Sequence, residues 1–344
     1  MIRMGNKREQ VLKRMVREYV RSARPVPSRA IAGKSGPGFS PATIRNYFAE
    51  FEELGLVFQP HPSAGRVPTD LGFRYFVDNL TRPEILDQEQ APGIRQFFER
   101  DAAGIEDVTR HAPRLLSRIS RQLALMVGPK LDQSRLREIH FLRLDPTRLI
   151  AIFIFQGELV ENRILRDKDK LSGADLHRLS GYLNQVGRGK TLLELRNYLL
   201  EELKAQGRNQ NRQTRRLFEF SEEIIRGQVR AEINIEGQSN LANNPEFNAP
   251  EKLEEVLRLL EDQQILLELM EQTLSGTGAN VIIGREHPFP QMRELAMITA
   301  GYFNRAGKPA GKVAVIGPKR MDYENLIPLV SYMARMMSEF LRMH

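Results

Sequence analysis

From Lys7 to Arg21, Val11, Leu12, Met15, Val16, Tyr19 and Val20 fall on one side of an amphipathic helix. Arg24-Pro25-Val26-Pro27 breaks it, and Ser28 is placed to cap a short second helix, Arg29 to Lys34. A turn through Gly36-Pro37-Gly38 leads to Ser40-Pro41, a good N-cap followed by proline at the first helical position, where its missing N–H costs nothing. Ile44, Phe48, Phe51 and Leu54 then recur at helical spacing and define a face that must be buried. After Gly55, Leu56-Val57-Phe58 has the composition of a strand, and the Pro/Gly/Ser-rich run to Thr69 that of a hairpin loop. Three helices followed by a hairpin is the order of a winged helix-turn-helix, whose third helix reads bases.

Further along, Leu115, Ile119, Leu123 and Met126 are spaced for burial on one long helix, Ile105 to Met126. Strands are predicted at Ile139–Leu144, Arg148–Phe155 and Leu159–Leu165, the last two joined by a turn at Gln156-Gly157-Glu158. A helix follows from Ser172 to about Val186. Residues 192–275 are mostly helical in pattern: Leu192–Ala205, Leu217–Arg230 and Lys252–Leu274, with an Asn- and Pro-rich loop from Gly237 to Pro250. Strands return at Val281–Ile283, Met297–Tyr302 and Lys312–Ile316, and a helix closes the chain from Asp322 to Arg342. Antiparallel strands flanked by helices make an α+β multidomain chain, in which the helical block looks like an insertion.

The face of the third helix opposite its apolar stripe carries Ala42, Arg45, Asn46 and Ala49. Small residues beside two side chains able to contact base edges suit a helix inserted into a major groove. Glu50, Glu52 and Glu53 occupy the other end of the helix, so insertion must be N-terminal end first. Charge agrees: residues 1–80 hold 13 Lys+Arg against 7 Asp+Glu, whereas residues 192–275 hold 10 against 16. Lysine and arginine release condensed counterions on binding DNA, while the thin positive excess elsewhere is ordinary solvated surface. A three-helix protein-interaction module with a surface hairpin is the alternative for the N-terminal unit.

At 344 residues the chain has room for two or three domains. It has no cysteine, which excludes disulfides, Cys-based zinc sites and thiol nucleophiles and fits a reducing cytoplasm. Its longest apolar run, Leu149–Phe155, is far too short for a bilayer, and its charged N-terminus lacks a signal core, so neither membrane nor secretion is expected. Six scattered histidines form no metal-ligand spacing, Gly276-Thr277-Gly278 lacks a third glycine, and no phosphate-binding loop is present. No catalytic residue, metal or cofactor is assigned, and an enzyme is not expected. Glu286-His287-Pro288 is either the exit of a strand or the edge of a ligand pocket.

Two segments resemble one known family. Ser40–Asn46 (SPATIRN), Leu54–Thr69 (LGLVFQPHPSAGRVPT) and the helix around Gly72–Asp78 closely resemble the bacterial heat-inducible transcription repressor HrcA, and Val281–Glu286 with Val313–Tyr323 gives a second match. The resemblance implies a winged helix-turn-helix in residues 1–80, a linker and helix in 81–104, a GAF-like domain in 105–191 with 276–344, and an inserted dimerisation domain in 192–275. It implies a homodimer that binds an inverted-repeat operator (the CIRCE element) and represses chaperone operons, held active by the chaperonin GroEL. The expected DNA-facing set is Ser28, Arg29, Ser40, Thr43, Arg45, Asn46, His61 and Arg66. Arg45 and Asn46 are assigned to bases, Thr43 to a base or phosphate, and Arg29 and Arg66 to the backbone. A regulator whose GAF-like domain senses a small metabolite is the second possibility, and a winged-helix scaffold for protein partners the third.

Overall fold

The structure, a computed structural model, describes residues 4–32, 38–80, 91–101, 104–128, 135–156, 160–167, 171–205, 233–242, 244, 246, 250–272, 278–305 and 307–343. The N-terminal unit contains α1 (Asn6–Ser22), α2 (Ser28–Ala32), α3 (Pro41–Glu53) and α4 (Asp70–Asp78). Between α3 and α4, β1 (Val57–Phe58) pairs antiparallel with β2 (Val67–Pro68). Thr69 caps α4 by accepting from the Gly72 amide at 3.1 Å. The expected turn at Gly36-Pro37 lies outside the described residues.

A short α5 (Ala91–Gln96), continued by a π-helical turn, leads to α6 (Ile105–Ser120). The single long helix expected to Met126 ends there. Arg121 turns left-handed at φ 53°, and Leu123–Val127 becomes β3, with all five side chains buried. An apolar run this short fits a buried strand as well as a helix; here it is an inner strand of a five-stranded antiparallel sheet. The strand order is β7 (Ile233–Glu236), β3, β10 (Pro309–Pro318), β9 (Leu295–Phe303), β8 (Asn280–Ile283). One face of this sheet packs on α6 and on the terminal helix α12 (Tyr323–Met343) in a core continuous with the N-terminal unit. The other face buries Leu125, Met297 and Ile316 against α10 (Pro250–Glu261) and α11 (Gln263–Gln272).

A second sheet of three antiparallel strands, β4 (Leu136–Asp145), β5 (Arg148–Phe155) and β6 (Val160–Arg166), has its own core. Its inner face packs on α7 (Gly173–Gly187) and α8 (Leu192–Ala205) through Phe153, Leu179, Leu183 and Leu195. Ser172 and Asp175 form a reciprocal capping box that starts α7.

Sheet membership differs from the division expected at 192–275. Within that block α8 belongs with the three-stranded sheet, whereas β7, α9 (Gln238–Ala242), α10 and α11 belong with the five-stranded one. The segment interrupting the five-stranded sheet is therefore the one between β3 and β7. Residues expected to form one helix from Lys252 are split at Asp262, whose side chain accepts from the Ile265 amide at 3.2 Å and starts α11. Part of the expected Asn-rich loop is α9, anchored by buried Leu241. The expected helix Leu217–Arg230 and the turn at residues 157–158 lie outside the described residues.

Candidate nucleic-acid interface

Local chemistry starts α3 where the sequence places it. Ser40 is extended (φ −66°, ψ 154°), accepts from the Thr43 amide at 3.1 Å and hydrogen-bonds the Thr43 hydroxyl at 3.0 Å. Ile44, Phe48 and Phe51 then anchor the inner face, all nearly inaccessible to solvent. This burial leaves Ala42, Arg45, Asn46 and Ala49 exposed on the outer face. Arg45 and Asn46 make no side-chain hydrogen bond or ion pair among the described residues. A planar guanidinium and a carboxamide, both unspent, sit one turn from the helix start on a ridge otherwise made of alanine.

The acidic end of α3 is partly neutralised from within. Arg8 of α1 donates to Glu50 at 2.8 Å and lies over the Tyr47 ring at 5.7 Å, so Glu50 also holds α1 against α3. Arg66 pairs with Glu52 at 2.8 Å and is only 18% exposed at its side chain. Its main chain exchanges two hydrogen bonds with Val26, both 2.9 Å, which add the α1–α2 connection to the hairpin. Arg66 thus fastens the hairpin to α3, and the expected backbone contact would have to compete with Glu52. That pairing joins positions in different elements, and nothing local in the sequence announces it.

The other expected residues fall as follows. Arg29 is exposed on α2 without a side-chain partner among the described residues, and Ser28, half-buried, opens that helix. Thr43 is half-buried, its hydroxyl turned to Ser40. His61 is exposed in the hairpin loop. Gln59, not singled out from sequence, closes that loop by donating to the Pro62 and Ala64 carbonyls at 2.8 and 2.9 Å.

Elsewhere, an open cleft of about 800 Å³ runs between α12, strand β9 and the residues that lead into β8, lined by Ala279, Gly301, Phe303, Tyr332, Arg335 and Arg342 among others. Glu286-His287 does not line it. The segment leaves β8 in a short turn, and His287 is buried with neither ring nitrogen hydrogen-bonded among the described residues. Burial holds His287 near a pKa of about 4, with the charge of Glu286 opposing the shift. Among the described residues no group of three or more His, Asp or Glu is disposed to hold a metal, and no helix is long and apolar enough to cross a membrane.

Comparison with known proteins meets the residue pattern at this point. Residues 106–327 match the family described as HrcA protein C terminal domain. The chain belongs to the HrcA family. A heat-inducible transcription repressor HrcA from Geobacter sulfurreducens is 33% identical over 332 residues, 96% of each chain. One from Pelotomaculum thermopropionicum is 32% identical, covering 99% of this chain and 97% of its own. A crystal structure described as that of a hypothetical protein, 26% identical, superposes over 99% of both chains with a TM-score of 0.71. The family supplies the context of transcriptional repression and heat-shock regulation, and α3 the surface best suited to it.

Proposed function

We propose that the chain is a sequence-specific repressor of chaperone operons that reads an inverted-repeat operator, the CIRCE element, through α3 of an N-terminal winged helix-turn-helix. The observation that carries this is the outer face of α3, where Arg45 and Asn46 stand exposed and unpaired beside Ala42 and Ala49. Arginine pairs with guanine and asparagine with adenine through two hydrogen bonds each in the major groove. Thr43 is assigned to a base or phosphate and Arg29 and Arg66 to the DNA backbone, with Ser28, Ser40 and His61 completing the DNA-facing set. A repressor that acts on operator DNA works where the chromosome is, so the cytoplasm is its proposed compartment.

An inverted repeat calls for a two-fold dimer. The outer face of the three-stranded sheet is suited to be the dimer contact. Leu142 pairs across to Ile150 and Ile150 to Ile164, while Ile154 pairs to Val160. Leu142, Val160 and Ile164 are each more than half exposed; His140 and Asn162 flank Ile152 between these rows, and exposed apolar side chains grouped in this way mark an interaction site. Within residues 192–275, the described side chains Leu195, Leu199, Val256, Leu260, Leu266 and Leu269 are spent in the cores of their own sheets.

The same face offers a reason for chaperonin dependence. Until two chains meet, it is bare, and the unit behind it has a small core of its own. Warming should release DNA binding, and GroEL with ATP should restore it. The cleft beside α12 favours a second reading, in which a small metabolite sets operator affinity. One experiment separates the two: operator binding is measured after mild heating, with chaperonin and ATP added to half the sample. Recovery in that half alone supports the repressor held active by GroEL, whereas equal halves contradict it. A response to small molecules but not to chaperonin favours the sensor.

A further inference from the structure

The two segments that carried the family resemblance meet in space. On α4, Arg74 donates to Glu286 through Nε at 2.7 Å and again through a terminal nitrogen, which also reaches the Val281 carbonyl at 2.6 Å. The Ile283 amide, donating to Glu286 at 2.8 Å, keeps that carboxylate in place. Asp70, at the start of α4, accepts from the Arg285 amide at 3.0 Å and from the Lys319 ammonium at 3.0 Å. Gly284 makes this approach possible: at φ 55° it is left-handed, and a Cβ there would stand 2.3 Å from an Asp70 oxygen. Arg17 of α1 forms a paired contact with Glu324 at the start of α12, 2.8 and 2.7 Å. Phe73 and Tyr323 pack beneath, ring centres 6.1 Å apart.

Single exposed ion pairs hold little. This set differs in being two-pronged at Arg74, partly buried, and tied to three backbone groups along β8 and the turn that leaves it. Planar two-point contacts and backbone donors define direction as well as distance. Their effect is to select one orientation of the N-terminal unit on the sheet out of the many that an apolar contact alone would permit.

We infer that Asp70 and Arg74 are positioning residues: they fix the direction in which α3 leaves the five-stranded sheet, and thereby the half-site spacing that a dimer accepts. This rests on the proposed DNA reading and deepens it. One added base pair moves a half-site by about 3.4 Å and turns it by about 35°. A fixed unit follows that displacement badly, and a loosened one follows it well.

The test uses the full-length protein and variants Arg74→Gln, Glu286→Gln and Asp70→Asn, titrated against one half-site and against inverted repeats whose spacer grows by single base pairs. Wild type should favour one spacer by about tenfold over its neighbours, since the second contact gains effective concentration only where both half-sites are reached. The variants should bind the half-site within about twofold of wild type and accept neighbouring spacers within about threefold of one another. A variant profile as sharp as wild type overturns the inference. A second measurement works without DNA. The chain has no cysteine, so spin labels on cysteines introduced at His61 and Lys308, diluted with unlabelled chain, report the distance between the two units. The inference expects a narrow distribution in wild type and a broad one in Arg74→Gln, and equal widths overturn it. If wild type prefers no repeat over scrambled DNA while the distances behave as expected, the error lies in the DNA reading and not in the clamp.

Discussion

Replacing Gly65 by alanine is the most searching single change in the hairpin. A Cβ at this position would lie 2.3 Å from the Val26 carbonyl carbon, 2.4 Å from its oxygen and 2.6 Å from the Pro27 nitrogen. All three atoms are backbone, so no side-chain rotation relieves the clash, and the hairpin must swing away from the α1–α2 connection. The move breaks the two 2.9 Å hydrogen bonds between Val26 and Arg66. At about 0.5–1.5 kcal/mol each, their loss removes about 1–3 kcal/mol of local stability. Amide exchange is the direct assay. Exchange at Val26 and Arg66 should accelerate by about 5- to 150-fold, while the amides of α3 that end on Phe48 and Phe51 keep their protection. Operator affinity should fall as well, because the hairpin that carries His61 and Arg66 is no longer held to the α1–α2 connection. Unchanged exchange at both amides would show that the hairpin does not approach Val26 as described.

Three further outcomes are expected. Ser40→Ala should cost about 1 kcal/mol in urea denaturation by removing the cap of α3, and Ser40→Asp should restore stability while weakening operator binding, because a carboxylate then faces phosphate; equal operator binding by wild type and the Ser40→Asp variant would remove Ser40 from the DNA-facing set. His287 binds its proton more weakly folded (about 4) than unfolded (ordinary value 6.5), so the unfolded chain takes up more protons between those values. Its contribution is complete above about pH 6.5 and declines as pH falls toward 4; stability should drop by about 2 kcal/mol from pH 7 to pH 5, and His287→Leu should remove most of that dependence in paired urea titrations. Leu142→Glu together with Ile164→Glu should leave the fold intact, since both are exposed, yet shift the protein to monomer in sedimentation; a dimer of unchanged strength would place the contact elsewhere.

What the sequence made legible was local. Ser40-Pro41 and the spacing of Ile44, Phe48 and Phe51 announce α3 and its buried face, because caps and periodicity act within a few residues. Strand β3 escaped because Leu123–Val127 continues the apolar rhythm of α6, and the break between them is a left-handed arginine with no glycine to mark it. The sheet to which β7 belongs was hidden as well, since Ile233–Glu236 is four residues long and its partner β3 lies more than a hundred positions earlier. Among the site residues, the exposed pair Arg45 and Asn46 followed from the helical wheel alone. The tie of Arg66 to Glu52, and of Arg74 to Glu286 across 212 positions, is tertiary; charge and spacing could name these residues as notable but not as partners.

The proposed function turns on base reading by α3, and fluorescence anisotropy with labelled inverted-repeat DNA measures it. Wild type, Arg45→Ala and Asn46→Ala are titrated at fixed salt against the repeat and against versions substituted one base pair at a time. Each alanine variant should lose about 1–3 kcal/mol, about 5- to 150-fold in affinity, and should become indifferent to substitution at one base pair of each half-site. Wild-type affinity and wild-type sequence preference in both variants would refute base reading by this helix.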